Sequence, residues 1–360
     1  MGLWRFVARL TKGGGIKNFV LLFFLSLSLS VSLISCSASN AQNSNKVDLT
    51  LVSYAVTKPA YRKIIPQFVQ EWKQQHNQTV RFYESYGASG AQTRAVVDGL
   101  DADVVELALA LDMKKIAKAG LIQPGWENEA PNNSIVTQSV AALVTREGNP
   151  KQINNWQDLT KDGVSVITAN PKTSGVARWN FLALYGSQIE KGAKDAQALD
   201  FTSKVYQNVP ILPRDAREAS DAFFNQGQGD VLINYENELI LAGLKGKPSN
   251  YIVPETNILI ENPVAVIDKN VEKHGNREVA EAFVKYLFTP AAQREFAKIG
   301  FRPVNQVVKQ EFAAKYPPVK TLFTVKELGG WDKVQNQFFA DNAAFDEIQK
   351  KIGQRSKVKG

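Results

Sequence analysis

Three short stretches carry the chemistry most visible in this chain: Tyr86-Gly87-Ala88-Ser89-Gly90-Ala91-Gln92, Thr173-Ser174-Gly175-Val176 and Arg214-Asp215-Ala216-Arg217-Glu218. Each opens into a helical pattern. The first amides of a helix have no intrahelical acceptor and lie at the positive end of its dipole, so such a turn can hold an anion without a charged side chain. Ser89 stands where an N-cap belongs and Gln92 follows three residues on, the spacing of a capping box. Gly87 and Gly90 let backbone approach a ligand closely. One such turn is equally an ordinary capped helix. Three of them imply that several helix starts are brought to one point.

Enzymatic and metal chemistry find little support. His76 and His274 both sit in polar, surface-like surroundings and read as solvated. No GxGxxG, phosphate-loop or GxSxG pattern appears, and Gly13-Gly14-Gly15 belongs to the leader. No spacing of carboxylates marks a catalytic pair. We therefore expect no catalytic residue, no metal and no cofactor. Cys36 is the only cysteine among 360 residues, which rules out an internal disulfide or a CxxC site.

Residues 1–35 combine basic positions with an apolar, serine-dotted run and read as a secretory signal. A transmembrane anchor is the competing reading, weakened by the short span and its serines. The run ends in Leu33-Ile34-Ser35-Cys36, which resembles the lipobox of bacterial lipoproteins and makes Cys36 the expected lipidation site. An incidental cysteine beside an ordinary cleavage site is the alternative. Residues 36–46, rich in Ser, Asn and Gln, read as a flexible tether.

The formal charge of +8 is concentrated at the two ends. Four cations lie in residues 1–35 and five from Lys350 onward, with no acid in either segment, so the body between is close to neutral. That distribution argues against nucleic acid as a partner. Within the body, strand-like runs alternate with helical ones: Val47–Tyr54, a helix from Pro59, Thr79–Tyr83, the helix at Ser89, Ala102–Ala108, and a helix over 112–119. The alternation implies parallel α/β sheets. A Pro and Asn-rich stretch at 124–134 and a return near Pro263 read as two crossings between lobes. The expected organisation is one lobe from 47–131 and 262–360, a second lobe from 132–261, and a hinged cleft between them.

Ser53-Tyr54, the Ser89 turn, Ala102-Asp103-Val104-Val105, Gly148-Asn149-Pro150-Lys151-Gln152-Ile153, and Asn170-Pro171-Lys172-Thr173-Ser174-Gly175 followed by Ala177-Arg178-Trp179-Asn180 together resemble the sulfate-binding proteins of bacterial sulfate and thiosulfate importers. The likeness spans about Val47 to Phe345. It implies a type II periplasmic-binding-protein fold, two hinged α/β lobes that close on a desolvated sulfate or thiosulfate and deliver it to an ABC permease in the inner membrane. It also implies a periplasmic, monomeric protein held to the membrane only by its N-terminal lipid. Carried over position by position, Ser89 and Ser174 supply hydroxyl or amide donors, Gly175 and Val176 supply amides, and Ala55 and Ala216 supply further amides from loops. Tyr235 stands where the family has a tryptophan whose indole N–H reaches the anion. Val176 stands where a second glycine is usual.

Asp215 either caps its helix, paired with Glu218, or faces the anion and repels it. Arg178 and Arg217 either pair with the anion or lie behind the site. Sulfate is fully ionised and only accepts hydrogen bonds, whereas phosphate at neutral pH keeps a proton that a donor-only cleft leaves unpaired, a penalty of roughly 1–3 kcal/mol. The rival readings are a receptor for another tetrahedral oxyanion such as molybdate, a sulfate-ester enzyme on the same fold, and a structural lipoprotein.

Overall fold

The computed structural model describes residues 45–247 and 250–359. The leader and Cys36 lie outside these residues. Among the described residues no helix is long and apolar enough to cross a membrane.

The chain opens with β1 (Lys46–Tyr54), α1 (Lys58–His76), β2 (Thr79–Gly87), α2 (Ser89–Val97), β3 (Val104–Glu106) and α3 (Ala110–Lys118). β1 pairs in parallel with both β2 and β3. Proline in the first turn of α1 suits a position whose N–H has no intrahelical partner. The 3.6-residue spacing of Ile64, Ile65, Phe68 and Trp72 then buries one face of that helix on the sheet. Phe68 meets Phe82 and Phe283 edge-on, an aromatic cluster that ties α1 to β2 and to a helix more than 200 residues further along.

β4 (Ile135–Ser139) and β5 (Ala141–Thr145) follow, and they belong to different sheets. β6 (Val166–Ile167), α4 (Gly175–Ile189), α5 (Asp195–Gln207), α6 (Ala216–Phe224), β7 (Val231–Tyr235), α7 (Glu236–Leu244) and β8 (Tyr251–Ile252) complete a four-stranded sheet in the order β6-β7-β5-β8 with its helices. β9 (Thr256–Ile258) precedes β10 (Ile260–Val266), which returns to the first sheet. After α8 (Asp268–His274), α9 (Arg277–Tyr286) and α10 (Pro290–Lys298), β11 (Arg302–Pro303) completes that sheet as β11-β4-β10-β3-β1-β2. The tail consists of α11 (Gln306–Glu311), β12 (Thr321–Phe323), α12 (Gly330–Val334) and α13 (Ala344–Lys359).

The passages between sheets are shorter than the sequence suggested. Buried Val140 alone separates β4 from β5, and Leu259 alone separates β9 from β10. The outward crossing therefore lies after β4, whereas the sequence pointed to the Pro and Asn-rich stretch at 124–134. The sequence read a strand over Ser139–Val144, and no Gly, Pro or Asn between Ile135 and Thr145 marks the change of sheet at Val140. The start of α7 stitches the passage: the Glu236 amide donates to the Val140 carbonyl (3.0 Å), and the Ser139 hydroxyl donates to Asn237 Oδ1 (3.0 Å). Arg302 forks onto the buried Glu236 carboxylate at 2.6 and 3.0 Å, joining β11 of the first sheet to α7 of the second.

The chain end also departs from expectation. Phe338, Phe339 and Phe345 pack around Phe181 of α4, and Trp331 meets Trp179 edge-on at 4.8 Å. The segment after β12 thus lies against the helices of the second sheet, not with the first lobe into which 262–360 was placed whole. Its aromatic residues are matched by α4, which is apolar on nearly every side and so needs cover all round.

His274 is not the solvated residue its neighbours in sequence suggest. Its Nδ1 lies 2.7 Å from Asp103 Oδ1 and its Nε2 3.0 Å from Asp101 Oδ2. The hydrogen bond to Asp103 holds its pKa above the ordinary 6.5, against a smaller opposing effect of burial. A raised histidine value means that the imidazolium stabilises the fold fully below about pH 6.5 and stops doing so as pH climbs through the folded value. Melting curves of the wild type and His274→Asn should therefore differ most near pH 6 and converge towards pH 9. A gap independent of pH would show that the cluster acts by packing alone. His76 is exposed and stacks on Trp72.

Candidate functional site

All three turns singled out in the sequence meet in one cavity. Gly87, Ala88 and Ser89 reach it from the start of α2, Ser174, Gly175 and Val176 from the start of α4, and Asp215 and Ala216 from the start of α6. Tyr54, Ala55 and Val56 line it where β1 ends, Ala108 from the loop before α3, and Tyr235 from the end of β7. Ala55, Ser89, Ser174, Gly175, Val176, Ala216 and Tyr235 are thus brought together, though they are spread over 180 positions of sequence. The space is small, about 10 Å³ open to a water-sized sphere, far below the range of sites for organic ligands.

The three helix starts do not work alike. The N-cap of α2 is Ala88, one residue before the expected Ser89, and Ala88 has no side chain with which to cap. Ser89 is the first helical residue, and its hydroxyl is engaged twice, donating to Asp112 Oδ2 (2.7 Å) and accepting from the Ala108 amide (2.9 Å). The hydroxyl is therefore a strut between α2 and α3, which leaves the Ser89 amide as its donor to the cavity. Gln92 closes no capping box; its Oε1 accepts from the Gly87 and Tyr86 amides at 2.9 and 3.1 Å and from the Ser85 hydroxyl at 3.1 Å. On α4 the arrangement is reversed. Ser174 is the N-cap, its hydroxyl makes no capping bond, and its own amide donates to the Asn170 carbonyl (2.8 Å). There the hydroxyl is the free donor, beside the first-turn amides of Gly175 and Val176.

On α6 the Asp215 carboxylate faces back into its own helix. Oδ1 accepts from the Arg217 and Glu218 amides, both at 2.9 Å, as an N-cap does. Glu218 accepts from the Arg214 amide rather than from Asp215, so the expected capping box is displaced by one residue. The Ala216 amide remains for the cavity. Capping also turns the one acid among the lining residues away from an incoming anion.

Among the described residues no lysine or arginine lines the cavity. Arg178 lies behind α4, donating from Nε to the Pro171 carbonyl (2.9 Å) and packing over Phe339. Arg217 is paired with the buried Glu238 at 2.9 Å. Positive potential at the cavity therefore comes from backbone. Each helix start carries roughly half an elementary charge, so three together supply about +1.5, most of what a dianion needs.

Buried amides hold this geometry, and reasoning from sequence passed over them. Asn234 Nδ2 donates to the Ala216 carbonyl (2.9 Å) and to Ser220, while its Oδ1 accepts from the Tyr235 amide (2.8 Å), fixing the start of α6 to the end of β7. Asn180 donates to Thr168 and to the Ile233 carbonyl, fixing α4 to the same strand. The signal was present, since an asparagine inside Val231-Leu232-Ile233-Asn234-Tyr235 must be satisfied if that strand is central. Tyr54, which in the sequence carries only part of the resemblance, and Ala108 also belong to the wall.

The two sides of the cavity touch. The Gly90 amide of α2 donates to the Thr173 carbonyl just before α4 (3.2 Å), and Trp179 Nε1 of α4 donates to the Ala108 carbonyl (2.9 Å). A Cβ at Gly175 would stand 2.3 Å from the Ala108 Cβ, so only glycine permits this approach.

Two packed α/β lobes enclosing a small backbone-lined cavity define a type II periplasmic-binding-protein fold. Residues 49–302 match the family model described as bacterial extracellular solute-binding protein, and the chain belongs to that family. It is 54% identical over 344 residues to the sulfate-binding protein of Synechococcus elongatus, covering 94% of this chain and 98% of that one. It is 52% identical to the sulfate-binding protein of Synechocystis sp., covering 97% of this chain and 100% of that one. Among solved structures it is similar to the sulfate-binding protein SubI from Mycobacterium tuberculosis H37Rv, with a TM-score of 0.75, 38% identity, and coverage of 81% of this chain and 99% of that one.

Proposed function

We propose that this chain is the sulfate receptor of an ABC importer, binding the dianion between its lobes and presenting it to an inner-membrane permease. The single observation that carries the reading is the convergence of three helix starts on one small cavity with no cationic side chain, among the described residues, in its wall. Sulfate is held through the amides of Ala55, Ser89, Gly175, Val176 and Ala216, the Ser174 hydroxyl and the Tyr235 phenol. The relatives are named for binding sulfate, which supports the role of a receptor. The lobes divide at Val140 and Leu259, and the chain crosses once more between β11 and β12. Ligand then acts by favouring the closed pair, which the permease reads. The protein works in the periplasm as a monomer, held at the membrane by a lipid on Cys36.

Calorimetric titration of the purified chain with sulfate, followed by thiosulfate and molybdate in competition, tests the ligand. Saturable sulfate binding that Ser174→Ala weakens about tenfold is expected, the usual loss for one hydrogen bond to a charged group. Molybdate binding without sulfate binding would overturn the assignment.

A further inference from the structure

Tyr54 ends β1 in one sheet and Tyr235 ends β7 in the other, and their rings meet edge-on across the cavity with centroids 6.3 Å apart. They are 4% and 2% exposed; the Tyr235 hydroxyl has no hydrogen-bond partner, and the Tyr54 hydroxyl has none beyond the nearby Thr137. Leaving a buried hydroxyl unmatched carries a substantial penalty, so proteins seldom do it without reason. Here two buried phenols stand side by side in the wall of a cavity that otherwise presents backbone amides and the Ser174 hydroxyl. Their partner is a ligand.

The chemistry of a phenol then matters. A backbone amide or an indole N–H can only donate, whereas a phenol donates one hydrogen and its oxygen can also accept one. Burial pushes both phenol pKa values well above the ordinary tyrosine value, so the hydroxyls stay protonated and add no charge to the site. The carboxylate of Asp215, the other acceptor in the wall able to receive a proton, is occupied by its helix. Facing a fully ionised oxyanion, the phenols point their hydrogens at it. Facing a singly protonated one, a phenol can turn and receive the proton that amides would leave unpaired.

Resting on the sulfate reading, we propose that Tyr235, with Tyr54 beside it, sets the specificity of this site and widens it to singly protonated tetrahedral oxyanions of the hydrogen phosphate class. The strict exclusion of phosphate expected of a donor-only cleft does not hold for this chain. Ser174 also carries a hydroxyl, so the discriminating comparison leaves Ser174 in place and changes only the phenols.

The test is calorimetry of the full chain at about pH 8, where phosphate is chiefly the singly protonated dianion, with sulfate and inorganic phosphate titrated separately into wild type, Tyr235→Trp, Tyr235→Phe and Tyr54→Phe. Tryptophan keeps a donor and removes the acceptor, and phenylalanine removes both without adding bulk. Wild type is expected to bind phosphate saturably, and the ratio of sulfate to phosphate affinity should rise about tenfold in Tyr235→Trp, the size of one lost hydrogen bond, whereas Tyr235→Phe, which removes donor and acceptor alike, should weaken both anions. Tyr54→Phe should weaken both by less. Phosphate that gives no saturable heat with wild type, or a ratio unchanged in Tyr235→Trp, overturns the proposal while sulfate binding stands. Phosphate binding with no sulfate binding would instead remove the sulfate reading and leave the phenol argument intact.

Discussion

Gly175→Ala is expected to weaken sulfate binding about a hundredfold while the chain still folds. The added methyl would meet the Ala108 Cβ at 2.3 Å, with Ser89 Cβ and Leu109 Cγ at 3.5 and 3.6 Å. Ala108 cannot yield, because its amide is bonded to Ser89 and its carbonyl to Trp179 and Asn262. The methyl must therefore hold the start of α4 away from the opposite wall. Overpacking of this kind costs about 1–3 kcal/mol, and about 2.7 kcal/mol is a hundredfold in affinity. Because the strain arises where the lobes meet, it can be relieved by parting them, and each lobe keeps its own core. Calorimetry alongside thermal melting separates these effects, with Gly353→Ala, where a methyl meets nothing, as the control. An affinity for sulfate within about threefold of wild type would mean that the lobes do not need this contact to hold the ligand.

Glu106→Gln should stabilise the protein near neutral pH and remove much of its pH dependence. Glu106 ends β3 fully buried, accepts from the Tyr61 hydroxyl, and leaves Oε1 without a partner. Burial raises its pKa from 4.5 to about 8, with the Tyr61 hydrogen bond pulling the other way. Below pH 4.5 the carboxyl is protonated both folded and unfolded. Between 4.5 and about 8 only the unfolded chain ionises, so stability falls steadily over that window. At pH 7 the accumulated cost is about 3 kcal/mol, at 1.36 kcal/mol for each unit between 4.5 and 7. Glutamine keeps an acceptor for Tyr61 and cannot ionise. Urea unfolding at pH 5 and pH 7.5 should show a clear loss for wild type and a much smaller one for the variant. Parallel losses would place the titrating group elsewhere.

The residues bear unequally on what was legible beforehand. The helix starts at Ser89, Ser174 and Ala216 could be read from short-range spacing, because capping and first-turn amides depend on residues within four positions. The roles of their side chains could not. Ser89 looks like a cap, yet its hydroxyl is taken by Asp112 and Ala108, 23 and 19 positions away. His274 looks solvated, yet its two carboxylates come from 171 and 173 positions earlier. The change of sheet at Val140 is marked by no turn residue, since no Gly, Pro or Asn lies between Ile135 and Thr145. The docking of Phe338 and Phe345 on α4 was hidden likewise, because an aromatic residue declares that it will be buried but not against which partner.

Local pattern alone therefore determined the α/β class, the near-neutral body and three anion-ready helix starts, since these follow from periodicity, composition and capping. The resemblance to sulfate receptors, carried by Asn170 to Asn180 and the Ser89 turn, named the ligand class and the seven wall positions. Tertiary structure decided what the wall is made of: which hydroxyl is free, which carboxylate is turned away, and that two buried phenols face each other. Those outcomes depend on hydrogen-bond partners from distant segments, and a side chain's donors and acceptors are assigned only when the lobes bring those segments into contact.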